Sequence, residues 1–439
     1  MTKNISDGVE TLPLPQLDEE ERAAKRKEIY AALEDRDVTV QPATDDNGDP
    51  LENSMVLNMG PQHPATHGVL RVVLKLDGET VERAVPELGY LHRSMEKLAE
   101  NKTFHEFMPY TDRLDYMSPY SNNTALCLAV EKLCGITAPP RATYIRTIAC
   151  EIARISSHLL WMGTMVMDAG AITVFLYTFQ EREKIYDVFD MLTGARFTVS
   201  HCRVGGVASD ISEECANYIK DWLKVFKKKL AEWRGLLDRN RIWIERVEGV
   251  AVISKEDAIG IGFSGPNLRG SGVDFDLRRD VPYMAYQNFE FNVPVYENGD
   301  CLARYFVRLE EMAESVRIIE QALKQLPKGD VRVDDAKQSF PWKHEVYHSM
   351  EGLIHDFMMT DTGLQPPAGT EIYHAIEAPK GELGFFIQSD GTGHPWRLKI
   401  RSPSFCSLQA LPHLTEGGMI ADVVVAIGSI DPVMGEADK

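Results

Sequence analysis

The sequence is poor in cysteine: seven residues in a chain of 439, and no two of them form a CxxC pair. They stand at positions 127, 134, 150, 202, 215, 301 and 406. Zinc and iron–sulfur sites need clustered thiolates, so we predict that the chain alone holds no metal. An odd, scattered set also argues against a disulfide framework. It favours reduced thiols in a cytosolic compartment, packed mostly as small hydrophobic side chains.

Positive charge is also scarce, with 47 Lys and Arg against 66 Asp and Glu and a net charge of −19. Nucleic acid is therefore excluded as the main partner, because phosphate binding needs a basic surface. The first residues, MTKNISDGVETLPLPQLDEEER, lack the apolar core of a secretory or mitochondrial leader. Residues 1–54 contain 14 acidic and 6 basic side chains. They are predicted to form a separate acidic extension, with a short surface helix starting near Asp18.

Long apolar runs are rare, and the exception is HLLWMGTMVMDAGAITVFLYTF, His158 to Phe179. It is long enough to span a bilayer, so a membrane helix is one interpretation. The alternative is a buried helix at the centre of a bundle. On a helix, Glu151, Arg154, His158 and Asp168 fall on one stripe. Polar groups on one stripe need protein partners, which favours the buried helix.

The remaining pattern predicts an α+β fold in three further regions. Residues 55–89 alternate as strands, with a hairpin turn at Asp77-Gly78. Residues 90–330 read as long helices with few breaks, which indicates a bundle. Residues 331–439 return to strands, with a hairpin around SDGTG and a tail that turns at Asp431-Pro432. The expected architecture is a central long-helix bundle flanked by small antiparallel sheets from both ends of the chain.

Three segments carry candidate chemistry. NMGPQHPATHGVLR holds His63 and His67 four residues apart, but its prolines and glycines predict a stiff loop rather than a helix. YTDRLDYMSPYSNN groups charged residues around Tyr116, ahead of a helix expected to open at Ser121 or Asn122. Asp168 is a carboxylate inside an apolar run, where it needs a partner. That partner is either an arginine in a structural ion pair or a histidine that the carboxylate orients.

These segments, together with GYLHRSMEKLAENKT, KGELGFFIQSDG and the ending SIDPVMGEADK, resemble one family. It is the 49 kDa, or D-type, subunit family of proton-translocating NADH–quinone oxidoreductase, the respiratory complex I. The resemblance extends from Met55 to Lys439, with the motifs in the family's order. It implies a peripheral-arm subunit that forms a quinone headgroup site in an NADH:quinone reductase coupled to proton translocation.

The family in turn resembles the large subunit of nickel–iron hydrogenases, which implies a hydrogenase-like fold. Two CxxC pairs hold the metals in those enzymes. Here Asp115 and Ser118 stand where the first pair would be, and Val433 and Glu436 stand where the second would be. A nickel site without thiolates is not plausible. The resemblance therefore implies a cavity that receives the quinone headgroup instead of metals.

By the same resemblance, Tyr116 and His67 each donate a hydrogen bond and then a proton to the quinone. Asp168 binds the far nitrogen of His67 and favours its charged form. The remaining expected lining of the cavity is His63, Asp115, Met117, Asp431 and Val433. Ubiquinone and menaquinone stay open as substrates.

Electrons would come from a terminal [4Fe–4S] cluster in the neighbouring small subunit, with NADH bound on another subunit. Arg113 matches the family position beside that cluster. The family often has a histidine where this chain has Thr198, and His201 follows three residues later. Either His201 substitutes from a shifted position or the pH dependence of the cluster's potential is weakened. Expected partners are the B-type iron–sulfur small subunit, the H-type membrane subunit and the C-type and I-type subunits, on the cytoplasmic side of the bacterial cell inner membrane.

Three other interpretations remain. A nickel–iron hydrogenase is disfavoured by the missing thiolates, and a scaffold without chemistry is disfavoured by the joint presence of Tyr116, His67 and Asp168. A related membrane-bound pump with a different electron donor stays open, because the donor would bind another subunit.

Overall fold

The N-terminal strands form a small sheet that presents the histidine loop. In the computed structural model, residues 54–335 and 337–439 are described, so the predicted acidic extension and its helix lie outside the described residues. Three strands pair in the order β1-β2-β3. Their bounds are β1 (Ser54–Met59), β2 (Arg71–Asp77) and β3 (Thr80–Glu87). The predicted hairpin is confirmed, since β2 and β3 are antiparallel with Asp77 opposite Thr80.

Helices dominate the middle of the chain. The first five are α1 (Met95–Glu100), α2 (Phe104–Thr111), α3 (Pro119–Cys134), α4 (Pro140–Asp168) and α5 (Ile172–Thr193). A two-stranded ladder follows, β4 (Cys202–Arg203) with β5 (Gly206–Val207). The next six are α6 (Glu213–Leu237), α7 (Arg241–Val247), α8 (Lys255–Ile261), α9 (Gly265–Arg269), α10 (Leu277–Asp280) and α11 (Cys301–Gln325). The long helices α4, α5, α6 and α11 pack together, as the bundle prediction requires.

The C-terminal part combines helices with a second small sheet. After α12 (Lys343–His348) and α13 (Met350–Asp361) come β6 (Glu371–Ala378), β7 (Gly381–Ser389) and β8 (Pro395–Arg401). These strands form an antiparallel sheet in chain order, which confirms the predicted hairpin around SDGTG. Four short helices end the chain: α14 (Pro403–Gln409), α15 (Leu411–Thr415), α16 (Ile420–Ile430) and α17 (Met434–Ala437). The α+β class is therefore confirmed, with the small sheets antiparallel as expected.

The apolar run from His158 to Phe179 is two helices rather than one. α4 ends at Asp168, and α5 begins at Ile172 after a turn in which Gly170 has φ +100°. The two helices pack against each other along their length. Within the part of the chain that the structure describes, no helix has the length and apolarity of a membrane span. The membrane-helix interpretation of this run is therefore wrong, because the turn doubles the chain back on itself.

The polar stripe of α4 finds partners inside the protein, as predicted. Arg154 Nε lies 3.3 Å from Glu151 Oε2, and His158 Nε2 lies 2.8 Å from Glu311 Oε2 on α11. Burial lowers the pKa of His158 to about 4, so its ring is neutral near neutral pH. These groups belong to a buried ionic network that ties α4 to α11 and β6.

The start of α3 differs from the prediction. The helix opens at Pro119, not at Ser121 or Asn122, because proline fits the first helical position and Ser118 precedes it as the cap residue. The polar side chains inside the first turn hold the preceding segment instead. Ser121 Oγ lies 2.7 Å from Ser118 Oγ, and Asn122 Nδ2 donates to the carbonyl of Asp115 at 2.9 Å.

The tail of the chain is buried and largely helical. β-branched residues fill the middle of α16, and its apolar side chains lie in the core. Asp431 follows with φ +52°, which makes the predicted turn at Asp431-Pro432. Val433 and the helix α17 are almost completely buried after it. The tail therefore runs through the interior beside α4, where α16 also contacts the histidine loop.

Candidate functional site

The loop between β1 and β2 is stiff, as its prolines predict. Pro64–Thr66 form one 3₁₀ turn, and the His63 ring caps it by accepting from the Ala65 amide at 3.2 Å. The Thr66 hydroxyl is buried and donates to the His63 carbonyl at 2.8 Å. His67 then takes a left-handed conformation with φ +52°, which is uncommon for a residue with a side chain. The loop is therefore held by its own contacts while its last histidine projects from it.

The imidazole of His67 is paired with Asp168. The Nε2 atom lies 2.8 Å from Asp168 Oδ2, and both side chains are about nine-tenths buried. Asp168 is the last residue of α4, where the helix dipole already places negative charge. The imidazole is thus the group that faces this carboxylate at the end of the helix. Of the two partners considered for Asp168, the structure contains the histidine.

Tyr116 lies against the same loop. A methyl group on Gly68 would stand 3.9 Å from the Tyr116 hydroxyl and only 2.9 Å from Met434 Cγ. Gly68 also has φ +136°, so a side chain is excluded there by both conformation and space. The tyrosine ring also packs on Gly435, where a methyl group would lie 3.1 Å from Tyr116 Cδ1. Gly68 and Gly435 thus permit the loop, the tyrosine and the tail to approach closely.

The phenol of Tyr116 is left free to act as a donor. Its hydroxyl makes no hydrogen bond to another residue within 54–335 or 337–439. Burial, followed by the nearby carboxylate of Asp115, raises the pKa of Tyr116. The group is therefore protonated throughout the physiological range. It offers an O–H against the loop that carries His67.

The other predicted lining residues divide into two groups. Asp115, Asp431 and Val433 are enclosed in the interior behind Tyr116, while His63 is exposed and Met117 is half-buried. Met117 keeps the segment in place, since its amide donates to Asp115 Oδ1 at 3.0 Å and its sulfur accepts from Arg182 at 3.5 Å. The structure thus brings part of the set together, and contact with a quinone stays a prediction for each member.

Lys380 is the residue of this region that sequence reasoning missed. It stands in the tight turn between β6 and β7, and its ammonium lies 3.0 Å from Asp431 Oδ2 and 3.8 Å from Asp115 Oδ2. It also donates to the Ser157 hydroxyl on α4. One sequence feature could have revealed Lys380. It directly precedes the apolar run GELGFF, so its charge lies at the start of a buried strand.

The two residues expected near a partner's cluster are placed differently. Arg113 is exposed and donates to the carbonyl of Pro109 at 2.9 Å, which leaves its guanidinium at the surface. His201 is 2 % exposed, and its ring nitrogens lie 2.9 Å from Tyr120 Oη and 3.0 Å from the carbonyl of Ser209. Burial lowers its pKa to about 4. His201 therefore has no ring nitrogen free for a partner.

Comparison with known proteins agrees with the motifs. Residues 168–439 match the family model described as the 49 kDa subunit of the respiratory-chain NADH dehydrogenase. One D-type subunit of the NADH-quinone oxidoreductase of Chloroherpeton thalassium is 74% identical over 435 residues, 99% of this chain and 98% of that protein. The D-type subunit of Salinibacter ruber is 60% identical, over 93% of this chain and 92% of that protein. The chain belongs to this 49 kDa subunit family. The predicted family is thus confirmed.

Membership of the 49 kDa family extends beyond the matched segment. The D-type subunit of Methylacidiphilum infernorum is 49% identical over 94% of this chain. That alignment and the two above include most of the residues before position 168. They therefore take in the strands, the histidine loop and the Tyr116 segment as well as the helices.

Proposed function

We propose that this chain forms the quinone headgroup site of a proton-translocating NADH:quinone reductase, as a peripheral-arm subunit of complex I. The observation that carries the proposal is the 2.8 Å pair between His67 and Asp168 beside the free hydroxyl of Tyr116. Two proton donors of different acidity are held at one place by a stiff loop and a buried segment. The relatives are D-type subunits of NADH-quinone oxidoreductase, which supplies the chemistry such donors would serve.

The chain's own residues would bind and protonate the substrate. The Tyr116 hydroxyl would donate a hydrogen bond to a quinone carbonyl. His67 binds Asp168 through Nε2, so its other ring nitrogen, Nδ1, would be the atom that donates to the quinone. Two-electron reduction makes the quinone oxygens far more basic, so the hydrogen-bond donors become proton donors. Asp168 orients the ring and stabilises its charged form until the proton leaves. The choice between ubiquinone and menaquinone stays open, since these contacts suit both.

Electrons would reach the site from a [4Fe–4S] cluster in the neighbouring B-type small subunit, with NADH bound elsewhere in the complex. The exposed guanidinium of Arg113 is available to that partner, where a cation favours the reduced cluster. His201 is enclosed by Tyr120 and Ser209, which argues against its substituting for the family's histidine. We therefore propose that Thr198 weakens the pH dependence of the cluster's potential.

An exposed apolar surface beside Asp168 supports contact with other subunits. Ile172 and Leu176, on the first two turns of α5, are 61% and 62% exposed, and Tyr177 is also exposed. Adjacent exposed apolar side chains mark protein or membrane contacts. We propose that this face meets the H-type membrane subunit, with the B-type, C-type and I-type subunits as further partners. The complex would then sit on the cytoplasmic side of the cell inner membrane, with this chain peripheral to it.

A hydrogenase-like fold and a regional division belong to the same proposal. Asp115 and Glu436 replace thiolate positions of the hydrogenase pattern, and both lie close to Lys380 in the interior. The described residues from Leu57 to Lys439 form one compact unit.

The proposed regions of the sequence are residues 1–54, 55–89, 90–330 and 331–439. A pump with another electron donor would use the same site.

The purified chain is expected to contain no stoichiometric iron, nickel or zinc. Among the described residues, no three His, Cys, Asp or Glu side chains are grouped as metal ligands. Elemental analysis of the folded chain checks this, with the small subunit's iron as the positive control in the whole complex. Stoichiometric nickel or iron in the isolated chain would revive the hydrogenase interpretation.

The proposed function is tested by replacing Asp168 with asparagine in the assembled complex. The change keeps the shape and a hydrogen-bonding oxygen but removes the negative charge that faces the His67 imidazole. We expect turnover with a short-chain quinone to fall by about tenfold, because a ring that has lost this partner is less firmly oriented toward the substrate. The measurement is the pH–rate profile.

The double variant with His67→Ala separates coupling from packing. If Asp168 acts through the imidazole, its replacement has no further effect once His67 is absent, so the two losses are not additive. An additive loss of equal size at every pH would instead make Asp168 a packing residue. Unimpaired turnover in both single variants would remove the pair from the quinone site.

A further inference from the structure

A cluster of charged side chains lies in the interior directly behind Tyr116. We call it the lysine cluster, and its members are Asp115, Lys380, Asp431 and Glu436. All four are almost completely buried. Lys380 is at the centre, within 4 Å of two of the carboxylates. Glu436 belongs to it through α17, which begins beside the ring of Tyr116 where Gly435 packs on Tyr116 Cδ1.

The lysine cluster has more carboxyl groups than cations. Lys380 is the one ammonium among three carboxyl groups, while Arg308 faces Asp431 and Arg182 faces Asp115 from outside the cluster. An uncompensated buried charge is costly. Within the described residues, Asp115 Oδ2 and Asp431 Oδ2 have no well-oriented hydrogen-bond partner. The 3.0 Å approach of Lys380 to Asp431 is thus an attraction of charges rather than an aligned hydrogen bond. A proton shared within the cluster would relieve this excess of negative charge.

Glu436 is the member placed to hold that proton. Its Oε1 accepts from the Ser404 amide at 3.1 Å and from the Ser404 hydroxyl. Burial, and after it the charge of Asp115, raise the pKa of Glu436 to about 7, against the lowering effects of Ser404 and Lys380. Lys439 also faces Glu436. Glu436 therefore changes its charge in the pH range in which the complex works.

Glu436 and Tyr116 influence each other's protonation. Burial is the largest cause of the raised pKa of Tyr116, followed by Asp115, and Glu436 acts in the same direction while Lys380 opposes it. Coupling between two proton sites is reciprocal. We propose that Glu436 is a positioning residue for the Tyr116 proton, taking up a proton from solvent as the phenol gives one to the quinone, with Lys380 holding the cluster in place.

The step is balanced within the proposed function, on which it rests. Two electrons, supplied by NADH, pass one after the other through the partner's iron–sulfur cluster. The O–H bond of Tyr116 breaks and its proton joins one quinone oxygen, while His67 gives the second proton of the quinol. The phenolate then increases the proton affinity of Glu436, whose carboxylate accepts a proton from solvent. When a further proton from solvent restores the Tyr116 phenol, that affinity falls and Glu436 releases its proton to solvent. Because the negative charge of Glu436 raises the pKa of Tyr116, a protonated Glu436 makes the phenol a better proton donor to the quinone.

The test is the ratio of quinone-reduction rates at pH 6 and pH 8 in the assembled complex, with NADH and a short-chain quinone. In the parent, ionisation of Glu436 above pH 7 makes Tyr116 hold its proton more firmly, so the rate falls. Glu436→Gln fixes a neutral side chain, and we expect the pH 6 to pH 8 ratio to drop by roughly three- to tenfold. Ser404→Ala removes a hydrogen bond that favours the ionised carboxylate, so the fall moves to higher pH.

The controls separate linkage from simple packing. In a Tyr116→Phe background, Glu436→Gln should leave the residual rate ratio unchanged, because no phenol remains to be tuned. An unchanged ratio in Glu436→Gln, or an equal loss at every pH, overturns the linkage. If Glu436→Gln fails to assemble, Ser404→Ala decides alone, and an unmoved profile rejects the proposal. Failure of the quinone site itself is recognised separately, by full activity in Tyr116→Phe.

Discussion

Replacement of Tyr116 by phenylalanine should lower quinone reduction by about a hundredfold in a complex that still assembles. The hydroxyl is lost, whereas the ring that packs on Gly435 stays in place. One donor removed from a developing negative charge typically costs about 3 kcal/mol of transition-state stabilisation. The measurement is turnover with a short-chain quinone, normalised to the amount of assembled complex.

A second tyrosine in the same segment provides the matched control. Tyr110 lies on α2, is half-buried, and has a hydroxyl without a hydrogen bond to another described residue. Tyr110→Phe should therefore keep near-parental turnover. Equal losses in both variants would indicate a disturbed segment rather than a lost donor. Near-parental turnover in Tyr116→Phe would exclude its hydroxyl from the reaction.

The contact between His67 and Asp168 could be predicted from the sequence. The prolines around His67 exclude a helix, so its ring had to project from a loop. Asp168 stands in an apolar run, where an unpaired carboxylate is too costly to be left alone. The free-energy cost of burying a lone carboxylate predicted a cationic or hydrogen-bonding partner for Asp168, either a histidine or an arginine. The family motifs favoured the histidine. The structure contains that pair 101 positions apart in the chain.

Lys380 shows where the sequence was insufficient. Its partners Asp115 and Asp431 are distant in the chain, and only the packing of the β6–β7 turn against the tail brings the three together. The helix break after Asp168 had a local signal in Gly170, but a single glycine inside an apolar run is weak evidence. One of the two sequence-based alternatives made His201 a substitute for the missing histidine, because its burial against Tyr120 cannot be seen in its spacing.

Replacement of Lys380 by methionine should destabilise the chain by about 3–5 kcal/mol, because it leaves buried carboxylates without their cation. Methionine keeps most of the length and loses the charge. Burial already raises the pKa of Asp115, and Lys380 opposes that rise, so its removal raises the pKa further. A carboxyl group whose folded-state pKa exceeds its unfolded value supports the fold at low pH and loses this contribution as pH rises. The deficit should therefore be larger at pH 8 than at pH 5.

Urea unfolding of the purified chain at both pH values measures the loss, and recovery of the chain in assembled complex gives a second readout. Lys227→Met is the matched control. Its ammonium lies 2.8 Å from Glu320 Oε1, but both side chains are about half exposed. Exposed pairs contribute only about 0–1 kcal/mol, so this variant should unfold almost as the parent does at either pH. If Lys380→Met behaved like Lys227→Met, the carboxylates behind Tyr116 would be protonated rather than held by Lys380. That result would contradict the claim that Lys380 stabilises ionised carboxylates in the lysine cluster.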